Sequence, residues 1–194
     1  DVAWAVGTTA GGLDTGAEAN STWYHVHAIG RHDLAVSQRA RATNVATLTI
    51  TAHGLAVGQT TWVRGVGGGY DGLVSVASVP DANSITYANA GTDEGTIACA
   101  GKADGFDALF STSATGPTMP SGWTSRRRLG AVRNDGASTI LPFFQQGDRF
   151  WLGTPINDLS TSNPGTAAVL QTLTVPSCIK VVPMSAFHSV DNDV

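Results

Sequence analysis

Apolar and polar residues alternate along this chain in runs of roughly four to eight positions, each closed by a cluster of Gly, Pro, Asn or Asp. The clearest runs are Trp23–Ile29, Thr47–Thr51, Thr60–Val66, Leu73–Val79, Ser84–Tyr87, Ala108–Ser111, Ser125–Val132, Thr139–Gln145, Phe150–Leu152, Ala167–Val175 and Lys180–His188. They are rich in Val, Ile, Thr, Trp, Tyr and Phe, residues that suit a pleated, half-buried surface. Stripes at helical spacing are nearly absent. The pattern predicts an all-β protein, an antiparallel β-sandwich of jelly-roll-like character with an inserted small β-barrel-like subdomain.

Turn chemistry sets the boundaries. Asp71-Gly72 and Asp135-Gly136 supply the positive backbone dihedrals of tight hairpins, while Pro120-Ser121-Gly122 and Pro176-Ser177 punctuate strand ends. Residues 39–102 read as a self-contained unit of strand, glycine-rich turn, strand, Asp-Gly turn and further strands. The flanks, 1–38 and 103–194, resemble each other in character and each is incomplete alone, so they are expected to form one discontinuous sandwich. An insertion at a hairpin tip is physically easy, because loop closure entropy grows slowly with length.

Composition narrows the partners. Charged residues make up 13% of the 194, well below the usual quarter or so, which predicts a neutral, hydroxyl-rich surface. The formal charge of −4 offers no broad cationic field for duplex nucleic acid or anionic membranes. No run approaches the ~20 apolar residues that span a bilayer, so no membrane insertion is expected. The chain opens without Met in the strand-like Val2-Ala3-Trp4-Ala5-Val6, as though cut from a longer polypeptide. Cys99 and Cys178 match no zinc or redox spacing and read as two buried free thiols, with a disulfide left open.

Several ordered motifs carry a resemblance. Gly11-Gly12-Leu13-Asp14-Thr15-Gly16, Trp23-Tyr24-His25-Val26, Ala108-Leu109-Phe110-Ser111-Thr112-Ser113, Pro120-Ser121-Gly122-Trp123 and Arg127-Arg128-Leu129-Gly130 together resemble a β-rich module of tailed-bacteriophage tail, tail-fibre and other virion proteins. Thr174-Val175-Pro176 continues it, although Cys178 stands where a small turn residue is expected. The inserted piece, with Val45-Ala46-Thr47-Leu48-Thr49, His53-Gly54-Leu55-Ala56-Val57-Gly58, Tyr70-Asp71-Gly72 and Thr86-Tyr87, resembles a second small module recurrent in phage structural proteins. The resemblance implies a virion component that packs against other virion proteins and copies of itself, with a trimer as the implied homo-oligomer. It brings no catalytic motif and no cofactor.

Other constellations point to chemistry less strongly. Leu13-Asp14-Thr15-Gly16-Ala17 matches the catalytic signature of aspartic proteases, but the preceding Thr8, Thr9, Ala10, Gly11 and Gly12 cannot make the buried strand that such a carboxylate needs. Asp14 is therefore expected in an Asx turn. His25 and His27 share a strand face, with His32 nearby, yet no convincing further metal ligand follows. The loop Gly65-Val66-Gly67-Gly68-Gly69 lacks the Lys-Ser/Thr ending of a phosphate loop and reads as a flexible hairpin tip. Asp104-Gly105-Phe106-Asp107 and Asp191-Asn192-Asp193 read as solvated turns, not calcium loops. Arg126, Arg127 and Arg128 read as a strand border with a weaker claim to an anion site. Trp62 and Tyr70 flank the glycine-rich tip and are the first choice for contact with a partner or a host-surface glycan.

The expected function is thus structural, with host adhesion as an added role and no catalysis. A carbohydrate-binding receptor-recognition module is the alternative, and an aspartic-protease-like enzyme around Asp14 is the remote one.

Overall fold

The computed structural model describes residues 12–137, 139–146, 149–160, 170–177 and 180–182. Ten strands and no helix occur among them: β1 (Trp23–Ala42), β2 (Val45–Thr49), β3 (Thr60–Arg64), β4 (Gly72–Ser75), β5 (Ser78–Asp81), β6 (Ser84–Ala88), β7 (Glu94–Ser111), β8 (Ser125–Arg133), β9 (Phe143–Gln146) and β10 (Arg149–Leu152). Every strand pair is antiparallel. The all-β, antiparallel class expected from the alternation is the class that forms.

Two long strands organise everything else. β1 and β7 pair from His25↔Ser111 to Arg41↔Glu94, with register shifts at Arg31/Leu34, Val36/Gln38 and Arg39/Arg41. Such irregularities bend and twist a ladder, so one pair can serve two differently curved regions. Asp33, inside the first shift, takes a positive φ of 59°, a conformation that Asp tolerates better than most residues. The sequence alone shows only Trp23–Ile29 and Ala108–Ser111 of these strands; the glycines, charges and small residues between hide their continuation.

The C-terminal half of β1 and the N-terminal half of β7 belong to a curled sheet in the order β4-β3-β7-β1-β2-β6-β5. Its two end strands, β4 and β5, are consecutive pieces of one extended run. Val76 N–H donates to Gln59 O (3.0 Å) on one side, and Ala77 N–H to Thr86 O (2.8 Å) on the other, so the run closes the curl into a small barrel-like ring. Alternation places Ala46, Leu48, Ile50, Val63, Ile85 and Tyr87 inside, with Val36, Leu55, Val66, Tyr70, Val76 and Ala103 completing that core. Each fully buried large aliphatic contributes about 1.5–3 kcal/mol, the main source of stability for so small a ring.

The other halves of β1 and β7 join β8 in a second region, where, among the described strands, β8 pairs with β1 alone. One face of this sheet buries Ile29 and Leu109 under Trp123 and Met119. On the opposite face Leu13 covers Tyr24 and Val132, with Val26 and Phe110 packed alongside. The β9–β10 hairpin approaches through Trp23 and Phe150, whose rings meet edge to face at 5.7 Å.

Sequence expectations fail at several local points. The Leu73–Val79 run is two strands, since its halves pair with different neighbours. Within Ala167–Val175 the described residues 170–175 form no strand; Thr174 N–H donates instead to the Asp158 carboxylate (3.0 Å), and Gln171 donates to Asp158 O (2.6 Å). Residues 180–182 are likewise outside any strand, and 183–188 lie outside the described residues. Asp191-Asn192-Asp193 and Cys178 also lie outside them, whereas Cys99 is a free, half-buried thiol.

Candidate functional site

One outward apolar feature of the barrel comes from register. Trp62 on β3 stands directly opposite Leu73 on β4, with Asp104 of β7 on its other side. Thr61 and Val63 point inward, so the alternation turns Trp62 out, where it is 51% exposed and Leu73 is 71% exposed. Paired across an antiparallel ladder, the two side chains form one apolar patch.

Tyr70 does not join it. The tyrosine is completely buried, which corrects the expectation of a Trp62–Tyr70 contact surface. Two guanidiniums lie over its ring, with Arg41 at 4.3 Å and Arg39 at 5.2 Å from the centroid. Its hydroxyl donates to Glu94 at 2.9 Å. Burial, then the Glu94 hydrogen bond, push the phenol above its ordinary pKa. Glu94 is correspondingly lowered, first by the Tyr70 hydrogen bond and then by Arg39.

The glycine-rich tip, whose composition predicts a flexible loop, is tied by hydrogen bonds from the same arginines. Arg39 donates to Val66 O, and Arg41 to Gly68 O at 3.0 Å. Asp71 accepts the N–H of Val66 at 2.8 Å, and that of Gly67 more weakly. Positive φ at Gly65, Gly67, Gly68 and Gly69 lets the backbone fold back under these groups.

Beside Trp62 the outer face carries a charge network across the β1 irregularity. Asp104 is buried, accepting from Arg64 Nε at 3.0 Å and from the Asp33 backbone N–H at 2.7 Å. Arg64 also reaches the Asp33 carboxylate at 2.8 Å, and His32 Nδ1 lies 3.8 Å from Asp104. The Asp104–Asp107 segment is therefore strand and not a solvated turn. Gly105 is required because a Cβ there would collide with Leu55, and Arg64 supplies the countercharge that a buried aspartate needs.

Farther along the same face, Gly30 of β1 stands opposite Phe106 of β7 and Ser125 of β8, and Ala28 stands opposite Ala108 and Arg127. The His32 ring sits edge to face with Phe106 at 6.0 Å. One continuous strip thus runs from Leu73 and Trp62, past Arg64 and Asp104, to Phe106, His32 and Arg127. Leu73 is not among the residues the sequence singles out, Phe106 appears there only within a supposed turn, and Arg127 only as a strand border with a weak claim to an anion site. Only the cross-strand register assembles them, and the long connections between their strands conceal it.

The histidines divide. His25 and His27 are buried on the other face of β1, while His32 lies on the outer strip, so the three do not converge. His25 Nδ1 accepts from Arg128 Nε and its Nε2 donates to Ser177 O, both at 3.1 Å, which fixes a neutral ring. Burial and then the Arg128 charge lower its pKa. His27 Nε2 meets Ser113 O at 3.1 Å, leaving its Nδ1 without a hydrogen-bond partner. Among the described residues no three His, Cys, Asp or Glu side chains group as metal ligands.

Asp14 is a turn residue, as its flanks imply. Its carboxylate accepts Thr15 N–H and Thr118 N–H, each at 2.9 Å, and ties the segment at Leu13 to the Ser113–Gly122 loop. Arg126, Arg127 and Arg128 form part of β8; Arg128 turns toward His25 and Arg126 donates to Thr115 O at 3.1 Å.

No family model matches the sequence, and no curated protein matches it. Among solved structures, the chain is similar to the phage phi92 endosialidase, at 18% identity and a TM-score of 0.32; the match covers 57% of this chain and 23% of that one.

Proposed function

We propose that this chain is a structural and adhesion module of a tailed-phage virion, placed in the tail or a tail fibre and working by contact, not catalysis. The observation that carries the reading is the outer strip. Trp62 and Leu73 expose a joined apolar patch on a rigid barrel wall, flanked by an ion network that fixes the surface around it. A large aromatic beside a polar rim is how protein interfaces concentrate their contact energy. The low charge of the chain favours close packing against other virion proteins or further copies of itself.

The virion placement is supported by the ordered motifs resembling phage tail modules, which run from Gly11 through Gly130 and continue at Thr174-Val175-Pro176. Residues 39–102 are read as the inserted module: their apolar residues supply most of the barrel core, whereas Leu13, Ile29, Leu109, Trp123 and Val132 serve the host sheet. A host-surface glycan is the second partner class for the strip, favoured by the exposure of Trp62.

The test is a double variant, Trp62→Ser with Leu73→Ser. Both side chains are exposed, so folding is expected to survive with a change within about 0.5 kcal/mol. Particle assembly or adsorption to host cells is expected to fall by about tenfold or more, and unchanged values for both would refute the strip as the working surface.

A further inference from the structure

Two strands, β1 and β7, carry the chain between the host sheet and the barrel, and their ladder is irregular at the crossing, between Arg31 and Leu34. Modules joined only by such a bent ladder would swing against each other, because relative motion is the default where little else is packed between domains. Further contacts converge on this crossing. Arg31 stands on the last regular rung, opposite Gly105. Its Nη2 donates to Ala52 O of the barrel at 2.9 Å, and its Nη1 to Ser121 O of the host loop at 3.3 Å. Each loop makes room for the guanidinium with a glycine. Gly54 and Gly122 take positive φ of 58° and 80°, and a Cβ at either position would collide with Arg31. Leu55 of the barrel core and Trp123 of the host core approach the same Gly105, where a Cβ would strike the first and come within 3.5 Å of the second. Gln59, at the entry to β3, donates to the Asp107 carboxylate on the host half of β7 at 2.6 Å.

We infer that this junction is a conformational lock closed by Arg31, so that the barrel and the host sheet turn as one rigid body. A planar guanidinium can reach two carbonyls on different loops at once, which the point charge of a lysine cannot. The glycines at 54 and 122 let both loops close on it, and the shared approach to Gly105 joins the two cores beneath. A load taken by the barrel wall at Trp62 and Leu73 then passes to the host sheet without a hinge. The inference takes the division into host and insert from the reading above and goes beyond it to how the two are joined.

The test is a set of residual dipolar couplings and amide exchange rates on the whole chain, measured for wild type, Arg31→Ala, Arg31→Lys and, as a control, the exposed Arg127→Ala. One alignment tensor is expected to fit the amides of the barrel strands and of β8 together in the wild type and in Arg127→Ala. Both Arg31 variants are expected to need two tensors, one for each region. The Leu55 and Trp123 amides are expected to exchange about tenfold faster or more in these variants. Leu48 and Ile85 are expected to keep their protection, which shows that the barrel itself remains folded. Two tensors in the wild type would overturn the lock. A single tensor retained in both Arg31 variants would overturn the role of Arg31. None of these outcomes bears on whether the chain is part of a virion, so the two readings fail separately.

Discussion

Asp104 of β7 accepts the backbone N–H of Asp33 across the irregular stretch of β1, at 2.7 Å, and thereby holds the bend that lets one strand serve both sheet regions. Arg64 completes the contact from β3. Because Asp104 is buried, its charge is tolerable only while Arg64 faces it.

Replacing Asp104 with Asn keeps an acceptor for Asp33 but removes the charge that Arg64 needs. The expected loss is about 1–3 kcal/mol at neutral pH, read as a lower urea midpoint. Burial alone would raise this carboxyl, but the hydrogen bonds from Arg64 and Asp33 outweigh it and leave the pKa below the ordinary 3.8. A depressed folded pKa contributes stability that is complete above the unfolded value and disappears as pH falls through the folded one. Wild type and Asp104→Asn are therefore expected to converge in stability only in strong acid, well below pH ~4.

Arg41 is nearly buried against Tyr70, and its guanidinium reaches Asn89 at 2.6 Å, Thr92 O at 3.3 Å and Gly68 O at 3.0 Å. Arg41→Ala leaves these acceptors unpaired at the mouth of the barrel, for an expected loss of about 2–4 kcal/mol. Lysine is expected to recover little, since a point charge cannot serve three acceptors and lie flat on a ring. Thermal melts of the three proteins, with amide exchange at Val66–Tyr70, check both the stability and the fastening of the glycine tip.

His25 gives the fold a second pH dependence, of opposite chemistry to Asp104 but the same direction. Its folded pKa lies below the ordinary 6.5, through burial first and the Arg128 charge second. The unfolded chain thus takes up the proton more readily, and stability is expected to decline as pH falls from about 6.5 toward the folded value, then level off. Unfolding free energies at pH 7.5 and 5.5 are expected to differ less in His25→Gln than in the wild type; an identical difference would show that His25 does not carry the effect.

Much of the fold was legible because burial alternates cleanly where strands are short. Ala46, Leu48 and Ile50, or Ile85 and Tyr87, announce their own faces. The long strands were not legible past Ile29 or before Ala108, because there side-chain character follows local tasks. Gly30 and Gly105 are set by close approach, and Asp104, Arg39 and Arg41 by ion and ring contacts. Tyr70 was misplaced for a similar reason: nothing in Gly-Tyr-Asp-Gly reveals that two arginines some 30 residues upstream will lie over its ring (39 and 41 against 70). Trp62 stood out in the sequence as a contact candidate without an orientation; the β3–β4 register supplies both its outward direction and its neighbour Leu73.

The proposed role is that of a β-built contact module in a virion. Cryo-electron microscopy of the intact particle, combined with mass spectrometry of its proteins, tests this most directly. The chain is expected in tail or fibre density, with the Trp62–Leu73 face against a neighbouring chain or directed at the host surface. Purified infectious particles that lack the chain altogether would contradict it.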